Sequence, residues 1–312
     1  MRIFRDHKAI PDNARGACSA IGNFDGVHLG HQHVLDLARG PARERGRPLG
    51  IVTFTPHPRE FFAPDAPAFR LMSPEARANR LAKLGVDLLF DLPFPQIAPM
   101  TAETFMKDVL ADGLGLSHVV VGANFRFGKG RAGTVRTLQD AGADLGFDVT
   151  AAELMGADAP VSSTAIRAAL SRGEPGAAAA MLGHWHRIEG PVVHGEKRGR
   201  TLGYPTANMS LDGLHLPRLG VYAVLVDIAD GVHAGTYHGV ASLGVRPMFG
   251  VNTPNLETFV FDFSGDLYGT HLSVALVEFL RPELTFDGLD ALIGQMDGDS
   301  AQARHILAAL DG

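Results

Sequence analysis

Cysteine is almost missing from this chain. Cys18 is the one instance in 312 residues, so no intrachain disulfide can form. The expected setting is a reducing compartment, the cytoplasm. Cys18 lies in the apolar stretch ACSAIG and reads as a small buried residue rather than a nucleophile. Long apolar runs are missing too. With no stretch of about 18 apolar residues, no membrane-spanning helix and no membrane partner are expected. The opening residues MRIFRDHKAI lack the apolar segment of a secretory leader. A basic excess is also lacking. The formal charge is −6, and the acidic surplus lies mainly toward the C-terminus. A nucleic-acid partner is therefore not expected, and phosphate recognition has to come from local sites.

What is there suffices for two ordinary cores. Apolar residues make up 46% of a chain that is long for one domain. The first part alternates short apolar runs with helix-like segments. ACSAIG, RPLGIVTF, DLLFDLPF, HVVVG and FDVTAAEL read as buried strands. Ser73-Pro74-Glu75 and Thr101 are helix starts. This alternation predicts a parallel sheet covered by helices. An Ala-rich helix, Glu174 to His184, leads to a boundary, giving domains of 1–184 and 185–312. From Arg187 onward RIEGPVVHG, GVYAVLVDI, LETFVFDF and LSVALVEFL are separated by Gly, Pro and Asp. They predict a small antiparallel barrel, followed by a helix in the tail from about Phe286 to Leu310.

The sharpest local signal is Gly22-Asn23-Phe24-Asp25-Gly26-Val27-His28-Leu29-Gly30-His31. A Gly-rich turn between strand and helix exposes backbone N–H groups at a helix N-terminus, where phosphate is favoured. His28 and His31 are three apart and project from one side of the helix start. On spacing alone they serve phosphate, lie at the surface or ligate a metal; no nearby Cys or acidic set completes a four-ligand site. Ser162-Ser163-Thr164-Ala165-Ile166-Arg167 reads either as a routine helix cap with a solvated Arg or as a second anion site. Ser163 or Thr164 caps a helix there, with Arg167 one turn in. A third is the loop Gly195-Glu196-Lys197-Arg198-Gly199-Arg200-Thr201-Leu202-Gly203-Tyr204-Pro205-Thr206-Ala207-Asn208. Its glycines and basic residues suit a polyphosphate, although it is not a Walker loop, and on composition alone they equally fit a basic surface loop with a Pro turn. Thr206 and Asn208 supply oxygen ligands of the kind Mg²⁺ prefers.

These strings resemble a known family. GNFDGVHLGH, Thr55-Pro56-His57-Pro58, GANFRFG (122–128) and SSTAIR are similar to the adenylyltransferase module of bacterial FAD synthetases. GRTLGYPTAN (199–208) resembles the motif of the riboflavin kinase module. The resemblance runs from about Ala20 to Ile306. It implies a Rossmann-like nucleotidyltransferase domain followed by a riboflavin kinase barrel. The implied activity is ATP-dependent phosphorylation of riboflavin to FMN, then adenylylation of FMN to FAD with release of pyrophosphate.

By that resemblance His28 and His31 are catalytic in adenylyl transfer. Gly22, Asn23, Phe24, Asp25, Gly26, Gly30, Ser163, Thr164 and Arg167 bind its ATP, and Pro56, His57, Pro58, Asn124 and Phe125 its flavin. Asn124 stands where the family often has Asp, so binding is carried over there and acid–base chemistry is not. In the kinase half Gly195, Gly199, Arg200, Gly203 and Pro205 hold ATP, and Thr206 and Asn208 the Mg²⁺. The family's base falls on Glu257. In LETFVFDF residues 257, 259, 261 and 263 alternate onto one face, and a carboxylate among three Phe is costly without a function; Asp262 is placed on the opposite face. The segment 241–249 departs from the family string: Ser242, Val245 and Met248 are smaller or apolar. The implied partners are ATP, riboflavin, FMN and flavoproteins as FAD recipients. Two rival readings stay open: an FMN adenylyltransferase with a silent kinase half, and a non-catalytic flavin-binding sensor.

Overall fold

The computed structural model describes residues 1–153, 161–194, 204–248 and 251–310. Two compact units emerge. One is built from Met1–Ala66 and Pro74–Val161, the other from Pro67–Ser73 and the chain from Ser162 onward.

The first unit is a six-stranded sheet in the order β1-β4-β3-β2-β5-β8. Its strands are β1 (Arg2–Phe4), β2 (Cys18–Ile21), β3 (Leu49–Thr55), β4 (Leu88–Pro93), β5 (His118–Gly122) and β8 (Asp148–Ala152). Every pairing in it is parallel. Continuous apolar runs such as Leu49–Phe54 and Val119–Val121 are buried, as parallel strands covered on both faces require. A small ribbon, β6 (Arg126–Phe127) with β7 (Gly133–Thr134), stands apart. The helices are α1 (Leu29–Glu44), α2 (Pro58–Phe62), α3 (Pro74–Lys83), α4 (Phe94–Ile97), α5 (Ala102–Thr104) and α6 (Val135–Leu145). Thr101 caps α5 as expected, its side chain accepting from the Thr104 N–H, and the helix runs on as a π-helical stretch over Phe105–Ala111. Helix α1 outlasts Gly40, carrying Pro41 inside it. Strand β1, to which the sequence reading assigned no element, adds an edge beside β4.

In this order β2 is followed outward on one side by β3 and β4, and flanked on the other by β5. The connections leaving β2 and β5 diverge, which opens a crevice at their carboxyl ends. The Gly22–Gly26 turn and Asn124–Phe125 follow those ends, and the 55–58 segment follows the carboxyl end of neighbouring β3.

The second unit starts with α7 (Ser163–Arg172) and α8 (Pro175–Leu182). An antiparallel sheet follows in the order β10-β13-β12-β11-β14-β9. Its strands are β9 (His186–Pro191), β10 (Thr206–Ser210), β11 (Gly220–Ile228), β12 (Gly235–Met248), β13 (Val251–Val260) and β14 (His271–Arg281). The Val193 N–H donates to the Asn208 carbonyl at 2.8 Å, so the chain beyond β9 reaches the opposite edge strand and the sheet curls toward closure. One face encloses Met209, Tyr222, Val224, Leu256 and Val274. The other packs Val221, Ala223, Val240 and Val277 against Ala303 and Leu307 of α9 (Leu289–Ala308). A parallel α/β unit and a curled antiparallel unit with a terminal helix is the expected fold class.

Two local expectations are corrected. Alternation carries Glu257 and Phe259 onto the α9 face, and Phe261 joins them, but Phe263 packs against the other core. Strand β13 ends at Val260, and Asp262 takes a left-handed φ of 55°, which breaks the two-residue period. Asp262 is consequently not turned away from that face. Its carboxylate accepts two bonds from Arg304 of α9, at 2.7 and 2.9 Å.

Candidate active sites

The turn after β2 is a strained one. Phe24, Gly26 and Val27 have φ of 51°, 86° and 44°, and the two non-glycine residues there pay for a left-handed conformation that only a well-determined surround sustains. Phe24 is buried and its ring lies 5.0 Å from that of His31. Behind the turn, the Asn23 carbonyl accepts from Arg77 at 3.2 Å and from the Thr53 hydroxyl at 3.3 Å.

His28 is the N-cap of α1. Its Nδ1 accepts the His31 N–H at 3.3 Å, and the two imidazoles stack with centroids 3.7 Å apart. The pair predicted from spacing is therefore assembled, with one histidine orienting the other. Burial pushes the His31 pKa well below the ordinary histidine range, and His28 adds to the shift. A neutral, half-buried ring results, able to donate one N–H bond. Its Nδ1 has no hydrogen-bond partner among the described residues. Gly30 leaves room for this packing: a Cβ there would lie 3.2 Å from the His28 ring, which would have to give by tenths of an ångström.

The 55–58 segment follows β3, the neighbour of β2 in the sheet. His57 caps α2, its Nδ1 accepting from the Arg59 N–H at 3.0 Å while the Glu60 carboxylate accepts the His57 N–H at 3.2 Å. Pro58 takes the first helical position. Asn124 is exposed in the turn after β5, and Phe125 stacks on Phe127 at 5.6 Å with 16° between ring planes. From there aromatic contacts run through Phe105 and Phe54 to Phe94, Phe61 and Phe62. Phe62 is 71% exposed, a face on which a planar ring can stack. Sequence reasoning missed Phe61, Phe62 and Phe94; an aromatic pair three and four residues after the Pro58 helix start was the available signal.

In the second unit the helix at SSTAIR is capped one residue earlier than expected. Ser162, extended at φ −149°, accepts the Ala165 N–H at 3.2 Å, so Ser163 is already the first helical residue and Thr164 the second. Arg167 shares Thr164's face as read from the spacing, donating to its hydroxyl at 3.3 Å. It also donates to the Phe69 carbonyl at 3.3 Å, with its guanidinium 5.4 Å from the Phe69 ring centroid.

The kinase motif splits between loop and strand. Gly195, Gly199, Arg200 and Gly203 lie outside the described residues. Pro205 is exposed, and Thr206-Ala207-Asn208 open β10 rather than extending the loop. In the ladders Asn208 stands opposite Glu257 on one side, and Ser242 stands opposite Glu257 on the other. Strand β13 is interior, so Glu257 is not an edge residue. The Asn255 amide donates to Asn208 Oδ1 at 2.9 Å, and Asn208 Nδ2 donates to the Thr206 carbonyl at 3.3 Å. These bonds aim the Asn208 oxygen. Asn255 was not read from sequence; its two-residue offset from Glu257 was the signal. The Tyr204 hydroxyl donates to Asp297 of α9, and Arg281 grips buried Asp299 with bonds of 2.7 to 3.1 Å, so Arg281 braces the barrel.

Two family models divide the chain between them. FAD synthetase matches residues 10–165, and riboflavin kinase matches residues 182–307. A bifunctional riboflavin kinase/FMN adenylyltransferase from Pseudomonas fluorescens is 42% identical over 311 residues, 99% of this chain and 98% of that one. The chain belongs to the bifunctional riboflavin kinase/FMN adenylyltransferase family. The member of that family from Escherichia coli K12 is 39% identical over 307 residues, 97% of each chain. The crystal structure of a macrolide-efflux protein from Streptococcus pneumoniae superposes with a TM-score of 0.83 at 30% identity, over 97% of this chain and 98% of that one. Among the described residues here, no helix is long and apolar enough to cross a membrane. Family membership agrees with both motif sets read from the sequence.

Proposed function

We infer that this chain carries out both reactions of its family, phosphorylating riboflavin with ATP and then joining the resulting FMN to an adenylyl group. Adenylyl transfer is assigned to residues 1–184 and phosphorylation to residues 185–312.

In the first reaction Glu257 takes the proton of the riboflavin 5′-hydroxyl. The oxygen then attacks the γ-phosphorus of ATP, and the bond to ADP breaks. Thr206 and Asn208 present oxygen donors on the same side of β10. Mg²⁺ keeps much of its water and binds by few protein ligands plus phosphate, so this sparse, hard-oxygen set suits it. Bound there, it would neutralise phosphate charge. The Gly195–Gly203 loop is assigned to the triphosphate, Pro205 to its flank.

In the second reaction an FMN phosphate oxygen attacks the α-phosphorus of ATP, and pyrophosphate leaves. The chemistry needs alignment and charge stabilisation rather than a covalent intermediate. Gly22–Gly26 and Gly30 bring N–H groups to the triphosphate, and His28 and His31 donate to oxygens that gain charge. Ser163, Thr164 and Arg167 are assigned to the departing pyrophosphate. Pro56, His57, Pro58, Asn124 and Phe125 are assigned to the flavin, with Phe62 as the exposed stacking ring. The proposed setting is the cytoplasm, with flavoproteins receiving the FAD.

The observation that carries this reading is the stacked His28–His31 pair, aligned by its own helix cap beside a strained Gly-rich turn. Binding alone does not need such an arrangement. Incubating the pure protein with riboflavin, ATP and Mg²⁺ and resolving the flavins by chromatography tests it. FAD is expected. FMN as the final product, or riboflavin unchanged while supplied FMN is converted, leaves a one-reaction enzyme. No conversion of either flavin leaves a sensor.

A further inference from the structure

The strained turn is backed by a buried ion pair that neither motif set includes. Arg77, on α3, and Asp91, within β4, are 6% and 9% exposed and meet at 3.1 Å. Arg77 Nη1 donates to the Asn23 carbonyl at 3.2 Å and to the Thr53 hydroxyl at 3.1 Å. The Thr53 hydroxyl donates onward to the same Asn23 carbonyl at 3.3 Å. Asp91 is held in turn by the Thr55 hydroxyl at 2.7 Å. Two donors thus converge on one carbonyl, and the cation is fixed by a carboxylate whose own position is fixed.

Stability alone is a poor reason for such a pair. Desolvating two charges offsets most of their attraction, and apolar replacements of similar volume are often as stable or more so. What the pair does is set a peptide plane. Carbonyl and N–H of a trans peptide point in opposite directions. With the Asn23 carbonyl held by Arg77 and Thr53, the Phe24 N–H of the same unit points away from those two side chains. Phe24 and Val27, both left-handed without being glycine, show that the turn's shape is imposed from outside it.

We propose that Arg77 is a positioning residue for adenylyl transfer: by clamping the Asn23 carbonyl it holds the Phe24 N–H toward the ATP phosphates, and Asp91 holds Arg77. The inference rests on the assignment of ATP to this turn. Because Asp91 balances the charge, the contribution is orientation rather than attraction.

The test uses the full chain and three variants: Arg77→Met, Arg77→Met/Asp91→Leu and Arg77→Lys. FAD formation from FMN is measured at varied ATP. Riboflavin phosphorylation by the same preparations, and the melting temperature, are read beside it. Arg77→Met leaves Asp91 buried and unpaired and is expected to melt early. The double variant removes both charges and is expected to recover the parental melting temperature. It should still lose about tenfold in kcat/KM for ATP in FAD formation, the worth of one positioned hydrogen bond, with the kinase rate unchanged. Arg77→Lys, which keeps one donor, should fall between parent and double variant. Parental kcat/KM in a double variant of parental stability overturns the proposal. So does an equal loss in both reactions, since a merely structural pair gives that. If the parent forms no FAD while phosphorylating riboflavin, the adenylyl-transfer assignment fails, and the proposal with it.

Discussion

Asn208 and Glu257 face each other across the β10–β13 ladder, and the Asn208 amide oxygen is pinned by Asn255. The proposed metal-side oxygen and the proposed base thereby sit on neighbouring strands, the rigid placement that in-line phosphoryl transfer needs. Glu257→Gln keeps shape and hydrogen bonding but removes the base. Riboflavin phosphorylation is expected to fall by about a hundredfold or more, while FAD formation from supplied FMN stays at the parental rate. Rate measurements on the two half-reactions check this.

His31→Ala is expected to act on the other reaction. Loss of one donor aimed at developing charge costs about 3 kcal/mol of transition-state stabilisation, on the order of a hundredfold in rate. FMN should then accumulate from riboflavin with little FAD following. Single-turnover FAD formation from FMN gives the number directly.

Gly30→Ala separates stability from activity. A Cβ at 3.2 Å from the His28 ring forces that ring to shift by tenths of an ångström, which disturbs the stacked pair. Alanine is better than glycine in a helix by about 1 kcal/mol. FAD formation should drop roughly tenfold, as small misplacements of catalytic groups do, while the melting temperature holds or rises.

His186 gives the second unit a dependence on pH. Burial lowers its pKa to about 3, with His184 and His215 adding to the shift. The unfolded chain takes up a proton as pH falls below 6.5, and the folded chain does not until about 3. Stability is therefore complete above pH 6.5 and is lost progressively down to about pH 3. The loss at pH 5 is on the order of 2 kcal/mol. His186→Gln removes the titration. Urea unfolding at pH 7 and pH 5 should show a smaller difference in that variant than in the parent.

Much of this was legible from local pattern. The β2 run ending in Gly22, and the alternation that sets Glu257 beside Phe259, are period signals that survive in the folded chain. The His28–His31 spacing of three held because both sit at one helix start. What local pattern missed depends on contacts distant in sequence or on single backbone angles. The cap at Ser162 differs from the expected one because three neighbouring residues could all accept the bond. Phe263 left its expected face because Asp262 turned left-handed. Arg77 meets Asn23 across 54 residues. The trace it left was Asp91, a carboxylate in the otherwise apolar run LLFDLP (88–93). Thr206 and Asn208 looked like loop ligands because the glycines before them hid the start of β10.

The claim on which everything turns is that one chain holds two phosphate-transfer sites that can be disabled separately. Parent, Glu257→Gln and His31→Ala should each be given riboflavin or FMN with ATP and Mg²⁺, and the flavins resolved over time. The expected result is crossed: Glu257→Gln makes FAD from FMN but nothing from riboflavin, and His31→Ala makes FMN from riboflavin but little FAD. Variants that lose both reactions together, or lose neither, would contradict the account.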